Sequence, residues 1–304
     1  MESPRGKLKL LYYPHLFFRF IGKAFLALSE MVPYTFAKKI ERNGNLLTYK
    51  VGDLTWRLNP RNYIDGEIIK NGVFERMSIK FLNKIVKPGM IVVDVGANFG
   101  YYTIQLSKLV GSDGKVYAFE PIKYFRERLI DHILLNNCKN VVVEGFGLSN
   151  SEKEVDIHIS RDTATLHNLN NQLLPGEENA RITLITLDDY LEKNNISQVD
   201  FVKIDIDGHE PYFLKGAENT LRKYHPALLI EFAQLYLLAS GSGSDQLSKI
   251  LQEFEYTLFS EKTGCPYNSE VEFLIDAMNC AYSTNVFCFY KESIHKSNSN
   301  ILVS

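Results

Sequence analysis

Two periods of apolar residues alternate along the chain, and the switches between them mark out its elements. Leu46 to Val51 and Leu54 to Leu58 are short apolar and β-branched runs separated by Gly52-Asp53, which predicts a hairpin with a tight two-residue turn. From Arg61 to Val86, Ile64, Ile68, Ile69, Val73, Phe74, Met77, Phe81, Leu82 and Ile85 recur at three- and four-residue spacing. That spacing predicts helix until Lys87-Pro88-Gly89 stops it. Beyond Gly89 the pattern predicts strands at Met90 to Val95, Lys115 to Glu120 and Val141 to Glu144, separated by helices at Tyr101 to Val110 and Tyr124 to Leu135. Val155 to Ile159 pairs with Arg181 to Ile185 as a polar edge hairpin, and Leu187 to Lys193 reads as a helix. Strands at Val199 to Ile204 and Ala227 to Phe232 then flank a helix at Pro211 to Tyr224. A helix over Gln246 to Phe254 and strands at Tyr256 to Ser260 and Asn285 to Tyr290 complete the series.

Short apolar strands alternating with helices predict an α/β fold, a mostly parallel sheet with helices on both faces. The last two strands have no long helical pattern between them, so the final strand is expected to run antiparallel. Arg161 to Asn179 and Ser240-Gly-Ser-Gly-Ser244 read as flexible stretches, either substrate-side loops or plain surface loops. The expected organisation is an N-terminal amphipathic helix and hairpin over 1–60, a main domain over 61–292 and a flexible tail over 293–304.

Leu8 to Val32 is aromatic-rich but carries Arg19, Lys23 and Glu30, which argues against a spanning helix. It fits first an amphipathic helix packed on the domain, the commoner arrangement, and second one lying peripherally at a membrane with Arg5, Lys7, Lys9, Arg19 and Lys23 toward the headgroups. The formal net charge of −2 over 304 residues supplies no basic field, so a nucleic-acid partner is not expected. Cys138, Cys265, Cys280 and Cys288 form no Cys-x-x-Cys pair, which points away from zinc or a disulfide framework and toward a cytoplasmic setting.

The chemistry concentrates at Asp94-Val-Gly-Ala-Asn-Phe-Gly100, where a strand ends in an acid and a glycine-rich turn leads into a helix. A dinucleotide fingerprint would carry glycine where Asn98 stands, so a pyrophosphate is not the expected ligand. S-adenosyl-L-methionine has no phosphate and carries an ammonium, a sulfonium and a ribose, so acids near the turn help rather than repel. Asp94 can face the ammonium end, Glu120 can accept from the ribose hydroxyls, and Gly147, Leu148 and Ser149 fall where adenine would rest. By themselves Gly96 and Gly100 also fit a plain tight turn capped by Asp94.

Val93-Asp-Val-Gly-Ala-Asn-Phe-Gly-Tyr-Tyr-Thr103, Ala118-Phe-Glu-Pro121, Thr186-Leu-Asp-Asp189 and Val202-Lys-Ile-Asp-Ile-Asp-Gly-His-Glu210 follow one another in a characteristic order. With Leu214-Lys-Gly-Ala217 and Leu229-Ile-Glu231 they resemble the FkbM-type methyltransferases over about Gly72 to Phe232. The resemblance implies a seven-stranded class I (Rossmann-like) methyltransferase fold and O-methylation of sugar, glycan or secondary-metabolite hydroxyls. Asp207 stands where the family commonly has glutamate. The donor site is expected at Glu75, Asp94, Gly96, Ala97, Asn98, Gly100, Tyr101, Glu120, Pro121, Gly147, Leu148 and Asp205.

Asp205, Asp207, His209, Glu210 and Glu231 converge at the strands' carboxyl edge, where open α/β sheets bind ligands. Methyl transfer to a hydroxyl releases a proton, which a nearby base can take. Asp205 is the first candidate and His209 the second, with Asp207 beside them; Asp207, Glu210 and Glu231 are candidates for holding acceptor hydroxyls. No metal is required. A nicotinamide-dependent oxidoreductase, a non-catalytic member that binds donor or glycan, and a metal-dependent hydrolase are the competing readings.

Overall fold

The computed structural model describes residues 46–159, 164–165, 178–280 and 283–296. Leu8 to Val32 and most of Arg161 to Asn179 lie outside these. The hairpin forms from β1 (Leu47–Val51) and β2 (Leu54–Leu58), with Val51 opposite Leu54. The single helix expected over 61–86 is two, α1 (Tyr63–Asn71) and α2 (Arg76–Ile85). Gly72 takes φ 74° and turns its amide back onto the Ile68 carbonyl, so the chain leaves the helix there although the apolar spacing continues.

The alternation follows as β3 (Ile91–Val95), α3 (Tyr101–Val110), β4 (Lys115–Phe119), α4 (Lys123–Leu135) and β5 (Val141–Glu144). Next come β6 (Gly147–Leu148), β7 (Lys153–Ile159), β8 (Ala164–Thr165), β9 (Glu178–Ile185), α5 (Leu187–Lys193) and β10 (Phe201–Ile204). The helix predicted over Pro211 to Tyr224 is divided at Ala217 into α6 (Glu210–Gly216) and α7 (Glu218–Tyr224). After β11 (Ala227–Phe232), the unpredicted α8 (Gln234–Ala239) leads to α9 (Ser244–Glu253). Ser240 to Ser244 is a hydrogen-bonded turn between those helices: the Ser242 amide donates to the Leu237 carbonyl at 2.8 Å and the Ser244 amide to Gln234 Oε1 at 3.0 Å. The chain continues through β12 (Tyr256–Ser260), α10 (Glu270–Asn279), β13 (Thr284–Tyr290) and α11 (Lys291–Lys296), so the first residues of the expected tail are helical.

Seven strands form the central sheet in the order β12-β13-β11-β10-β3-β4-β5. β3, β4, β5, β10 and β11 pair parallel, while β13 lies antiparallel between β11 and β12. The last strand is therefore antiparallel as expected, but a ten-residue helix, α10, precedes it. The hairpin predicted from Val155 and Arg181 exists as β7 against β9, within a separate four-stranded sheet ordered β6-β9-β7-β8.

Pleating sends alternate residues to opposite cores. Val93, Val95, Val202, Ile204, Leu228 and Ile230 pack on one face, and Val92, Phe201 and Leu229 on the other. The same alternation assigns Asp94, Lys203 and Glu231 to the second face, where α2, α3 and the hairpin lie. Trp56 ties the hairpin into this core, 1% exposed, with ring centroids 5.7 Å from Tyr101 and 5.1 Å from His132. Among the described residues no helix is long and apolar enough to cross a membrane.

Truncating a buried Trp leaves a large cavity. Trp56→Ala should lower stability by about 3–5 kcal/mol in urea unfolding; a loss below about 1 kcal/mol would show that the hairpin is only loosely attached.

Candidate functional site

A solvent-open cavity lies at the carboxyl ends of β3, β4 and β10, the edge at which open α/β sheets hold their ligands. Gly96 and Asn98 of the glycine-rich turn, Glu120 and Pro121 after β4, Gly147 and Leu148 of β6, and Asp205, Asp207 and His209 after β10 all line it. Nine residues singled out from the sequence thus meet in one place.

Gly96 sets the spacing of this edge. It adopts φ 77°, and a Cβ there would stand 2.0 Å from the Asp205 carbonyl oxygen, so the β3 turn and the β10 end touch backbone to backbone only without a side chain. Glu120, 4% exposed, accepts from the amides of Asn98 and Ile122, each at 2.8 Å. Desolvation nonetheless raises its pKa to about 7, against those two hydrogen bonds and the nearby Arg126 charge. Asn98, at φ 49°, turns its side-chain oxygen onto the Phe99 amide at 2.7 Å, one of the amides a pyrophosphate would need.

Asp94 lies beneath the turn rather than on the cavity wall. It is fully buried, accepts from Thr103 Oγ1 at 2.6 Å, and its Oδ1 has no hydrogen-bond partner. Burial raises its pKa, with Lys203 opposing. Ala97 and Gly100 shape the turn from behind: the Ala97 amide donates to the Phe119 carbonyl and the Gly100 amide to the Ala97 carbonyl. Tyr101 and Glu75 also stand off the cavity. The Tyr101 hydroxyl exchanges hydrogen bonds with the Phe74 backbone at 2.9 Å, and the Tyr102 hydroxyl donates to Glu75. Desolvation pushes the Glu75 carboxyl to about 7.

Lys203, not singled out as a site residue from the sequence, is central here. Its Nζ lies 2.8 Å from Asp205 Oδ2 and 4.7 Å from the Tyr102 ring centroid, with only 5% of the side chain exposed against 39% for Asp205. Burial works to discharge the ammonium, but Asp205, Asp94 and Glu75 outweigh it and hold its pKa above the lysine range. Burial likewise penalises the Asp205 charge, yet Lys203 and a hydrogen bond from Glu231 keep its carboxyl below the aspartate range. Glu231, desolvated and next to Asp205 and Asp207, is driven well above its ordinary range and holds the shared proton.

Glu210 is fully buried and faces its own loop, accepting from the amides of Ile206 at 3.1 Å and Gly208 at 3.2 Å; burial lifts its pKa to about 7. His209 Nε2 and Ser149 Oγ share a hydrogen bond of 2.9 Å, and the ring stacks on Tyr212. Among the described residues no three His, Cys, Asp or Glu side chains are grouped as metal ligands would be. The apolar wall of Phe119, Ile122, Phe125, Ile157, Ile182 and Leu184 also escaped the sequence reading. Ile157, Ile182 and Leu184 are buried on β7 and β9, segments whose sequence reads only as a polar edge hairpin.

Residues 94–272 match the family model described as the methyltransferase FkbM domain. The chain belongs to this family. Its fold is that of class I methyltransferases and its donor is S-adenosylmethionine. A second model, protein-L-isoaspartate(D-aspartate) O-methyltransferase, matches residues 29–150. The chain is 25% identical over 231 residues to the AMB antimetabolite synthetase AmbE of Pseudomonas aeruginosa, covering 64% of this chain but 10% of that protein. It is 26% identical over 180 residues to the hexuronic acid methyltransferase AglP of Haloferax volcanii, covering 59% of this chain and 68% of that one. The crystal structure of methyltransferase FkbM from Methylobacillus flagellatus superposes with a TM-score of 0.41 at 15% identity, over 77% of this chain and 64% of that one. The FkbM match opens at Asp94 and takes in the turn, Glu120, the small sheet and the acidic strand ends.

Gly96→Ala combines a clash with a left-handed φ that alanine resists, so it should cost at least about 1–3 kcal/mol. It should also weaken S-adenosylhomocysteine binding more than about tenfold in calorimetry; wild-type affinity would remove Gly96 from the donor site. Because the folded pKa of Glu120, about 7, exceeds the carboxylate's ordinary 4.5, the folded state binds the proton more tightly. Its contribution to stability therefore declines as pH rises from 4.5 to about 7 and is constant beyond. Thermal midpoints at pH 5 and pH 8 should converge in Glu120→Gln relative to wild type.

Proposed function

We propose that this FkbM domain transfers the methyl group of S-adenosylmethionine to a hydroxyl oxygen of a sugar, glycan or secondary metabolite. The observation that carries the reading is Asp205, a carboxylate kept charged by Lys203 and exposed at the cavity wall where Gly96 touches its backbone.

The residues present suit the donor. Glu120 has acceptor capacity left for a ribose diol after its two amide contacts, and Ile157, Ile182 and Leu184 with Leu148 offer an apolar slot for a purine. Asp94, with one carboxylate oxygen unpaired beneath the turn, puts negative charge near the ammonium end. Bound there, the donor supplies an electrophilic methyl group on a sulfonium.

Acceptor chemistry follows from charge. Among the described residues the cavity is lined by Glu120, Asp205, Asp207 and His209 and by no lysine or arginine, the Lys203 ammonium being engaged beneath Asp205. A carboxylate acceptor would meet like charge there. A neutral hydroxyl meets none, and it brings a proton that Asp205 can accept as the oxygen attacks. His209 is the second candidate for that proton and Asp207 a candidate for holding a neighbouring hydroxyl; Glu231 is not among the lining residues and meets Asp205 instead, and Glu210 supports the loop that carries Asp207. The matches to a hexuronic acid methyltransferase and to an O-methyltransferase model support oxygen as the atom methylated and, through the first, a sugar as the acceptor; the acceptors in both names also carry carboxyls, so the choice of a hydroxyl rests on the acidic lining.

Titration with S-adenosylhomocysteine, followed by labelled donor over a panel of glycans and hydroxylated metabolites, tests the reading. Glu120→Ala should weaken S-adenosylhomocysteine about 10- to 100-fold, the loss of charge-assisted hydrogen bonds; unchanged affinity would remove the ribose contact. Asp205→Asn should bind the donor product normally and lose about 10²- to 10⁴-fold in kcat, and wild-type turnover would take Asp205 off the catalytic list.

A further inference from the structure

An ammonium buried beneath a binding cavity calls for a reason, because taking it out of water costs far more than an apolar side chain would. The pleat explains how it gets there. Lys203 and Asp94 are register partners on neighbouring parallel strands, and Lys203, Asp205 and Glu231 follow the same alternation onto one face of the sheet. Beneath Lys203 lies the Tyr102 ring, whose hydroxyl is bonded to Glu75. Above it, Asp205 extends into the cavity.

We propose that Lys203 is a positioning residue of the transfer reaction: from below, its ammonium, 2.8 Å from Asp205 Oδ2, fixes the Asp205 carboxylate in the charged form and turned toward the acceptor. The proposal rests on the hydroxyl-acceptor reading above for the source of the proton. As the new C–O bond forms and the C–S bond breaks, the sulfur keeps the bonding pair and the hydroxyl proton passes to Asp205. A weak base suffices, because the attacking oxygen becomes strongly acidic as it gains the methyl group. What matters is that the base is never already protonated.

Besides Lys203, the described groups that act electrostatically on Asp205 include the carboxyls of Glu231, itself beside Asp207, and of Asp94, Glu75 and Glu210, with His209 lining the same cavity. Without Lys203, such a crowd makes Asp205 take up a proton at neutral pH. A lysine that merely braced the strand ends would leave the charge state of Asp205 unaffected.

The test is a carboxyl-carbon NMR titration of the full chain saturated with S-adenosylhomocysteine, with the Asp205 signal assigned by its loss in Asp205→Asn. In wild type Asp205 should titrate below the ordinary aspartate value of about 3.9. In Lys203→Met it should rise by at least about one pH unit, a tenfold change in proton affinity, and in Lys203→Arg it should return to the low value. An unchanged titration in a Lys203→Met protein that still folds and binds S-adenosylhomocysteine overturns the proposal. If Lys203→Met does not fold, wild type and Lys203→Arg decide: low values in both support the proposal, and a wild-type value at or above the ordinary one overturns it. Because this readout needs no acceptor, an acceptor panel that finds nothing tells against the hydroxyl reading while leaving the titration to judge Lys203.

Discussion

Parallel pairing of β3 with β10 is the constraint on which the site depends. It places Asp94 beside Lys203 and Val95 beside Ile204, so that the two chains leave the sheet together and the Gly96 turn closes directly against the Asp205 backbone. In an open α/β sheet ligands gather where neighbouring strands send their connections apart, and β3 is where this sheet does so, with β4 on one side and β10 on the other. Glu120 and Asp205, 85 residues apart in the chain, reach one cavity because each follows a strand adjacent to β3.

The energetics of that edge are unfavourable taken group by group. Asp94, Glu75, Glu120 and Glu210 all bear raised pKa values through desolvation, and Lys203 is the cation buried among them. Such crowding is tolerated because the apolar clusters on both sheet faces stabilise the frame. Backbone amides meet Glu120 and Glu210, and hydroxyls meet Asp94 and Glu75. Perturbed carboxyls concentrated at the mouth of a cavity are characteristic of sites that handle charge or protons.

Much of the frame was legible because its signals are local. Strand runs such as Ile91 to Val95 and Ala227 to Phe232 are short, apolar and followed by turn residues, and they fell within a residue of the observed bounds. The helix boundaries were less so. Apolar spacing ran unbroken through Gly72 and through Ala217, and only the turn at each shows that the chain divides there. The six-residue α8 is too short to show a period beside the serine-glycine stretch; α10 does carry one, with Phe273 and Ala277 buried four residues apart, but its polar start at Glu270 hid it.

The sequence by itself determined the glycine-rich turn, the acid after β4 and the acidic end of β10, because each is a contiguous motif whose spacing encodes its local geometry. Tertiary structure decided which carboxylates face the cavity. Glu120, Asp205 and Asp207 do, whereas Asp94, Glu75 and Glu210 turn into the protein, a distinction set by pleat direction and by the partners that meet each oxygen. It also decided the role of Lys203, whose neighbours come from β3, β10, α3 and the segment before α2 and have no mark in any single stretch of sequence. Long-range packing sets the charge on Asp205, and no local pattern records long-range packing.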